Sequence, residues 1–234
     1  MGRVFVLTGA GVSAESGLGT FRDAGGIWAR FDPMKLATPE AFARDPATVH
    51  AFYDARRRNL LAAVPNAAHA ALAELARGAE VFLCTQNIDD LHEQAGSPQV
   101  HHMHGELLKA LCGRCGATHP WRGDLSTRDA CPACGAAGAL RPDVVWFGEI
   151  PYGLDAIEAA LEDSEVFVAV GTSGAVYPAA GYVELARRMG LRTVEINMEP
   201  SDNAYAFDDR RYGPATAEVP AFVAEMLGRQ PLAK

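Results

Sequence analysis

The chain has 234 residues, of which 49% are hydrophobic and 21% are charged, with both signs of charge mixed along the sequence. This composition excludes a disordered or fibrous protein and suits one large domain with an insertion. The formal net charge of −8 would repel a phosphate backbone, so no direct nucleic-acid partner is expected. No apolar run approaches the roughly eighteen residues of a membrane span, and the start of the chain does not read as a signal peptide. We therefore expect a cytoplasmic protein without a membrane partner, and a monomer by default.

Short β-branched or apolar runs predict buried strands, and the segments between several of them predict helices. The strands are expected at residues 4–7, 81–84, 144–147, 165–170 and 193–197. The helices are expected at residues 67–76, 154–162, 179–189 and 215–227, the last entered through Pro214. Such alternation is typical of crossover connections, and it predicts the α/β class with a Rossmann-like parallel sheet.

Four of the five cysteines form two Cys-x-x-Cys pairs, Cys112 with Cys115 and Cys131 with Cys134, separated by 15 residues. In a reducing compartment this pattern favours a metal over disulfides. Four thiolates make a closed tetrahedral site with no open position for water, so we predict one structural zinc ion. A redox role is the alternative, although neither pair opens a helix after a strand. A zinc ribbon can also bind nucleic acid, but this segment has few basic residues.

Two stretches do not fit the alternation of strands and helices. Residues 39–61 predict polar helices, and residues 112–134 are rich in Gly, Pro and Cys and too poor in apolar residues for a core of their own. We predict a Rossmann-like domain made of residues 1–35, 79–110 and 140–234. A smaller domain is expected from a helical insertion at 36–78 and a zinc-binding insertion at 111–139.

A glycine-rich loop, Gly9-Ala10-Gly11-Val12-Ser13-Ala14, directly follows the first predicted strand. Glycines there allow a tight turn and a close approach of the backbone to a phosphate. Alone, the loop is compatible with an unliganded turn or with a dehydrogenase. A dehydrogenase would continue with a helix and a second strand, whereas residues 17–28 form a long loop broken by glycines. That continuation is more typical of a lid over a cofactor.

The run from Gly9 to Trp28 resembles the GAGxSxxSG...FR...GG.W signature of the sirtuin family, and further blocks follow in family order. They are residues 85–92, His104-Gly105, the two cysteine pairs, residues 141–149 and Gly171-Thr172-Ser173. The resemblance covers nearly the whole chain. It implies an NAD-dependent protein-lysine deacylase that uses NAD as cosubstrate and acylated-lysine proteins or peptides as partners. The implied products are deacylated lysine, nicotinamide and O-acyl-ADP-ribose.

The resemblance also implies the residues that bind NAD. Gln86, Asn87 and Asp89 follow the carboxyl end of a strand, where open α/β sheets bind ligands. Asn87 and Asp89 would hold the nicotinamide end, and Gln86 the nicotinamide ribose. Taken singly, Asn87 or Asp89 would favour capping of a turn. The full set is Gly9, Ala10, Gly11, Ser13, Glu15, Thr20, Phe21, Arg22, Trp28, Gln86, Asn87, Asp89, Gly171, Thr172, Ser173, Asn197, Glu199 and Ala215.

His101, His102 and His104 form a cluster that in isolation is compatible with a metal site. A histidine whose pKa lies near the working pH is a natural general base for a ribose hydroxyl. The resemblance implies that this base is His104, immediately before Gly105. Two other functions stay open: an ADP-ribosyl transferase, which shares the cleavage of NAD, and a non-catalytic zinc-ribbon regulator, which would release no nicotinamide.

Tyr53 and Arg56 stand three positions apart on a predicted helix and share a face. A guanidinium pairs bidentately with a carboxylate, and a phenol adds a hydrogen bond. Without further context, the run Arg56-Arg57-Arg58 is compatible with a solvated basic face. Residues 52–57 resemble the tyrosine and arginine pair of the sirtuin branch that removes succinyl and malonyl groups. We therefore expect desuccinylase or demalonylase activity beside deacetylation.

The predicted substrate segment is Val144, Val145, Trp146 and Phe147. Such an extended edge would bind a peptide as an added strand, main chain to main chain, and would tolerate different peptide sequences. The family usually carries histidine where this chain has Asp143.

Overall fold

The computed structural model describes residues 2–19 and 33–228, and within them it has nine strands and eight helices besides short 3₁₀ turns. The strands are β1 Arg3–Thr8, β2 Val81–Thr85, β3 His101–His102, β4 Gly105–Cys112, β5 Thr118–Pro120, β6 Leu140–Val144, β7 Ser164–Val170, β8 Arg192–Asn197 and β9 Asp209–Tyr212. The helices are α1 Pro33–Leu36, α2 Pro39–Arg44, α3 Pro46–Ala62, α4 Ala67–Gly78, α5 Leu91–Gln94, α6 Leu154–Glu162, α7 Tyr182–Arg188 and α8 Ala215–Met226.

A six-stranded parallel sheet forms the larger part of the molecule, in the order β3-β2-β1-β7-β8-β9. Strand β1 is central, and its residues alternate between the two faces of the sheet. Val4 and Val6 pack with α4 and α8, while Phe5 and Leu7 pack with α6 and α7. Full burial of each such side chain stabilises the folded state by roughly 1.5–3 kcal/mol. The predicted α/β class with a Rossmann-like parallel sheet is confirmed.

A smaller antiparallel sheet, in the order β5-β4-β6, lies beside helices α1 to α3. Residues 39–61, predicted as helical, form two helices because the chain is interrupted at Asp45. The Asp45 carboxylate accepts a hydrogen bond from Thr48 N (3.1 Å), and Pro46 takes the first helical position of α3. Strands β4 and β6 also carry the core of the cysteine-rich segment, around Leu125 and Leu140.

Helix α4 packs on the large sheet rather than with α1 to α3. Its apolar residues Leu72 and Leu75 join the cluster built on Val4 and Val6. Conversely, β4 begins at Gly105 and belongs to the small sheet. This differs from the predicted division, which assigned residues 36–78 to the small domain and residues 79–110 to the large one. The apolar pattern of α4 predicts a buried face but does not say which sheet covers it.

Two predicted elements end at different residues in the structure. The strand predicted at residues 144–147 shares only Val144 with strand β6, and residues 145–147 follow that strand as a loop. The helix predicted at residues 179–189 begins as the 3₁₀ turn Ala179–Gly181 and continues as α7. Across the described ranges, no helix has the length and apolar character that a bilayer crossing demands.

Candidate functional site

Loops that follow β1, β2, β7 and β8 meet at the carboxyl edge of the large sheet. Gly9 N donates to Val170 O (2.9 Å), and Gln86 N donates to Thr8 O (2.9 Å). Gly171 N donates to the carbonyl at the end of β8 (2.9 Å). These bonds place the loops predicted to bind NAD side by side, at the edge where open parallel sheets bind ligands.

The first glycine-rich loop touches the loop after β7 through backbone alone. A Cβ on Gly11 would lie 2.7 Å from Gly171 Cα, and a Cβ on Gly9 would lie 2.8 Å from Gly171 O. Gly171 itself has φ of +61°, which a side chain would strain. Glycine at these positions therefore lets the 3₁₀ turn Ala10–Val12 pack directly against the loop after β7.

Ser13, Asn87 and Asp89 form one hydrogen-bonded group beneath that loop. Ser13 Oγ donates to Asp89 Oδ2 (3.0 Å), while Asn87 Nδ2 donates to Ser13 Oγ (3.2 Å) and Gly9 O (3.2 Å). Burial raises the pKa of Asp89, although hydrogen bonds from Leu91 N and Ser13 oppose the shift. Three of the residues predicted to bind NAD thus orient one another.

Two buried histidines that the sequence analysis did not single out lie behind this group. His69 Nδ1 accepts from Asn66 N (3.2 Å), so Nε2 carries the proton and donates to Ser13 Oγ (3.3 Å). Burial lowers the pKa of His69 to about 4, which keeps the ring neutral. The His92 ring lies 4.9 Å from it, and His92 Nε2 lies 3.0 Å from Thr8 Oγ1. A polar residue among the apolar positions 68, 71 and 72 of a helix is the signal that identifies His69.

His104 Nδ1 lies 2.9 Å from the carbonyl oxygen of Gln86. A carbonyl oxygen only accepts, so Nδ1 carries the proton of the neutral ring and Nε2 keeps a lone pair. Burial lowers the pKa of His104, and the hydrogen bond to Gln86 opposes that shift. The next residue, Gly105, has φ of +78°, and a Cβ there would lie 2.2 Å from Asp143 O. The close contact of β4 with β6 therefore sets where His104 lies.

His101 and His102 contact other groups. His101 Nε2 donates to Tyr152 O (3.0 Å), while His102 Nε2 lies 2.6 Å from Glu93 Oε1 and its Nδ1 lies 3.3 Å from Asn87 O. Burial opposes a charge on His102, but Glu93, together with Glu106 and the Asn87 carbonyl, raises its pKa. Within the described part of the chain, the three histidines of this segment thus bind separate partners rather than one metal ion.

The loops after β7 and β8 carry the residues predicted to bind the adenosine half of NAD. Asn197 Nδ2 donates to Thr172 O (2.8 Å), and Gln86 Nε2 donates to Thr172 Oγ1 (3.0 Å). Thr172 therefore connects the loops after β2 and β8. Glu199 is exposed just beyond β8, and Ala215 is the first residue of α8.

Glu15 and Ser173 accept hydrogen bonds from the chain itself. The Glu15 carboxylate accepts from Thr216 N (3.0 Å) and Thr216 Oγ1 (2.7 Å) at the start of α8. Ser173 Oγ accepts from Ala175 N (3.3 Å). Both residues lie at the predicted NAD site, but their oxygens are engaged with local groups. The remaining predicted NAD residues, Thr20, Phe21, Arg22 and Trp28, lie outside the described residues.

Tyr53 and Arg56 lie one turn apart on α3, as the sequence predicts. Tyr53 is 1% exposed, and its hydroxyl accepts a hydrogen bond from Trp146 Nε1 (2.9 Å). The Arg56 guanidinium lies 5.7 Å from the centre of the Tyr53 ring and 5.7 Å from that of Phe52. Burial lowers the pKa of Arg56, and the negative charge of Asp89 opposes that effect. The guanidinium is thus a poorly hydrated positive charge next to a phenol.

The three arginines of the 56–58 run have different environments. Arg56 is half-buried, Arg57 is 1% exposed, and Arg58 is exposed and paired with Asp124 (2.6 Å). Arg57 Nε donates to Leu107 O (3.1 Å) and so connects α3 to β4. The interpretation of this run as a uniformly solvated basic face is wrong.

The predicted substrate segment follows β6 and is fixed through its amides. Val145 N donates to His104 O (2.9 Å), and Phe147 N donates to Ala37 O (2.9 Å). Trp146 N donates to a carboxylate oxygen of Glu149 (2.8 Å). Because these amides are used inside the chain, a peptide strand would have to pair mainly with carbonyl oxygens of this segment.

The four paired cysteines are positioned to bind one zinc ion. The sulfurs of Cys112, Cys115, Cys131 and Cys134 all lie within 4.8 Å of one another, and the donor set of four thiols is that of a structural zinc site. His119 Nε2 lies 3.5 Å from Cys131 Sγ, close enough to hydrogen-bond a ligand sulfur. The alternative of two redox pairs does not match this single cluster.

Known proteins resemble this chain in sequence and in fold. The Sir2 family model matches residues 9–178. A protein of Caulobacter vibrioides named NAD-dependent protein deacylase is 60% identical over 97% of this chain and 98% of its own length, and a Shigella flexneri protein of the same name is 54% identical over 96% and 84%. A crystal structure of a Sir2 homolog–NAD complex matches with a TM-score of 0.88 and 39% identity, covering 96% of this chain and 90% of that chain. The chain therefore belongs to the Sir2 family.

Proposed function

We propose that this NAD-dependent protein deacylase acts on acylated lysine side chains and transfers the acyl group to ADP-ribose. The products are deacylated lysine, nicotinamide and O-acyl-ADP-ribose. We also propose that the accepted acyl groups include succinyl and malonyl besides acetyl. Relatives named deacylases and the NAD complex of a family member support the first proposal, and the environment of Arg56 supports the second.

The observation that carries the proposal is the position of His104 between two groups of loops. Its ring nitrogen Nδ1 is held by Gln86 O (2.9 Å), in the loop after β2 that is proposed to bind the nicotinamide ribose. Its backbone carbonyl accepts from Val145 N (2.9 Å), the first amide after β6 in the substrate segment. One residue would thus adjoin both the proposed ribose site and the proposed acyl-lysine site.

Bound NAD supplies an electrophilic anomeric carbon from which nicotinamide departs, so the site needs no catalytic metal of its own. His104 Nε2 is proposed to take a proton from a ribose hydroxyl, since Nδ1 already donates to Gln86 O. Asn87 and Asp89 are proposed to hold the nicotinamide end, and their orientation is fixed by Ser13. The four-cysteine cluster contributes structure only.

The acyl preference is proposed to come from Arg56 and Tyr53. Trp146 Nε1 donates to the Tyr53 oxygen, so the Tyr53 hydroxyl proton remains for an acyl carboxylate. Because Tyr53 is buried, a carboxylate that reaches it loses water, and the positive charge of Arg56 offsets that cost. An acetyl group has no carboxylate, so Tyr53 and Arg56 do not stabilise its binding.

A panel of acyl-lysine peptides with NAD tests the reaction class. We expect nicotinamide release only when an acylated peptide is present, together with a loss of the acyl mass from the peptide. A gain of one ADP-ribose mass on the peptide would instead indicate ADP-ribosyl transfer. Absence of nicotinamide release with every acylated peptide would contradict an enzymatic role and favour a non-catalytic regulator.

Substitution of Arg56 tests the acyl preference. Arg56→Met keeps the length of the side chain and removes the charge, so kcat/KM for a succinyl-lysine peptide should fall by about 30- to 100-fold, as for the loss of a charge-assisted hydrogen bond. The same peptide carrying acetyl-lysine should change by less than about threefold. Arg58→Met, two positions along α3 in an exposed pair with Asp124, is the matched control. An equal loss on both substrates in Arg56→Met would rule out the assignment.

A further inference from the structure

We propose that Asp143 and Tyr152 form a positioning pair that fixes the loop of residues 145–152, here called the substrate loop, in the orientation that binds acyl-lysine peptides. Tyr152 Oη donates to Asp143 Oδ1 (2.8 Å). Neither residue belongs to the NAD loops or to the zinc cluster. The inference rests on the proposed function, because it assigns these two residues to peptide binding by the same site.

Both ends of the substrate loop are hydrogen-bonded to the backbone of Met103 and His104, the segment that carries the proposed base. At one end Val145 N donates to His104 O (2.9 Å), and at the other Tyr152 N donates to Met103 O (2.9 Å). His101 Nε2 also donates to Tyr152 O (3.0 Å). The loop therefore leaves and rejoins the structure at two adjacent residues, Met103 and His104.

The tip of the substrate loop is ordered by contacts within the loop and with Arg141 of β6. Trp146 N donates to the Glu149 carboxylate (2.8 Å), and Glu149 N returns a bond to Trp146 O (2.9 Å). Arg141 pairs with Glu149 (2.8 Å) and stacks 4.1 Å from the centre of the Trp146 ring. The loop thus behaves as one small unit that contains the predicted peptide-binding residues.

The Asp143–Tyr152 bond fixes this unit relative to β6. Asp143 lies on β6 immediately before the loop, is 6% exposed, and stands opposite Glu106 in the register of β4 and β6. Tyr152 lies at the far end of the loop, immediately before Gly153 and α6. The side-chain bond joins the two ends of the loop directly, and it adds to the contacts that its middle makes with Ala37, Tyr53 and Arg141.

The pair acts through orientation rather than through burial of the tyrosine ring. Tyr152 is 39% exposed, so loss of its hydroxyl opens no internal cavity. Loss of the Tyr152 hydroxyl instead leaves the buried Asp143 carboxylate without this hydrogen-bond donor, which costs free energy. Burial, together with the hydrogen bond to Asp143, raises the pKa of Tyr152 to about 12, so the donor stays protonated throughout the working pH range.

The test compares Tyr152→Phe with Tyr205→Phe. Tyr205 is a matched control because its hydroxyl also donates to a carboxylate, Glu184 (3.0 Å), but on an exposed surface at α7. We expect Tyr152→Phe to raise both the KM for an acyl-lysine peptide and its Kd, measured by fluorescence anisotropy, about five- to tenfold. The KM for NAD should stay close to wild type and the Tm should fall by only a few degrees, whereas Tyr205→Phe should change none of these values.

A second series keeps the test informative if one variant is unstable. Asp143→Asn retains an oxygen that accepts from Tyr152 and should weaken peptide binding less than Asp143→Ala does. Unchanged peptide Kd in Tyr152→Phe, or equal changes in the KM values for peptide and NAD, would overturn the positioning role. Wild-type protein that binds the peptide but turns over none would contradict the proposed function and leave the effect of the pair on Kd measurable. Wild-type protein that binds no acyl peptide would overturn both.

Discussion

At the scale of single residues, the carbonyl of Gln86 decides which nitrogen of His104 carries the proton. The same logic applies to His69, where Asn66 N takes Nδ1 and leaves Nε2 to donate to Ser13. In both cases a backbone group selects the tautomer, and burial keeps the ring neutral. Backbone partners of this kind leave no mark in a residue pattern, which is why the sequence indicates a histidine but not its protonation.

The role of His104 is tested by His104→Asn. The amide cannot accept a proton from a ribose hydroxyl, so kcat with an acyl-lysine peptide should fall by about a thousandfold, within the range typical of a lost general base. Because the proposed effect is on the chemical step, the Tm and the far-ultraviolet circular dichroism should match wild type. Turnover close to the wild-type rate would show that another group is the base.

The pH profile of the wild type gives a second check on His104. Only the neutral ring accepts a proton, and burial lowers the pKa of His104 below its ordinary 6.5. Measured as kcat/KM, activity should therefore rise with pH along an acid limb whose midpoint lies below 6.5 and then stay level through neutral pH. A midpoint above 6.5 would contradict a buried neutral base.

His69 should make stability depend on pH. Its pKa is about 4 in the folded chain against 6.5 when unfolded, so between these values the unfolded state binds more protons. The free energy of unfolding should therefore fall as pH decreases from 6.5 towards 4, by up to roughly 3 kcal/mol from this group. Urea unfolding of the wild type and of His69→Gln at pH 7 and pH 4.5 measures this change in the free energy of unfolding. The variant should lose less stability between the two pH values, and equal losses would refute the assignment.

At the scale of elements, β4 and β6 connect the zinc cluster to the candidate active site. Their register pairs Gly105 with Val144 at one end and Cys112 with Leu140 at the other. The first end lies next to His104 and the substrate loop, whereas the second end lies at the cysteines. The zinc cluster therefore fixes one end of two strands whose other ends carry the proposed chemistry.

Removal of zinc should affect peptide turnover while leaving the large sheet folded. Cys131→Ser should bind no zinc, lose most deacylation, and keep most of its far-ultraviolet circular dichroism, because the six parallel strands have a separate core. Cys84→Ala is the control, since Cys84 is a buried cysteine outside the cluster. We expect one zinc per chain in wild type and in the control, measured by metal analysis. Full activity of a zinc-free Cys131→Ser protein would contradict this account.

At the scale of the whole molecule, the parallel sheet was predictable because its central strands are continuous apolar runs. Strands β3 and β9 were not, since His101–His102 is short and polar and Asp209–Tyr212 is a half-exposed edge strand. The choice of sheet for α4 depends on packing between distant segments, which periodicity does not encode. The Asp143–Tyr152 bond was equally hidden: the departure at Asp143 is visible in the sequence, but its partner nine positions later is not.

The strand order also fixes when this protein can fold during its synthesis. Strand β1, the most deeply buried of the sheet, needs β2 on one side and β7 on the other. At a ribosome speed of about 5–20 residues per second, the residues of β7 are made roughly 10–30 s after those of β1. During that interval the apolar edge of β1 has no native neighbour on one side, and such an edge is prone to aggregate. The nascent chain is thus expected to need shielding by a chaperone until its second half has been made.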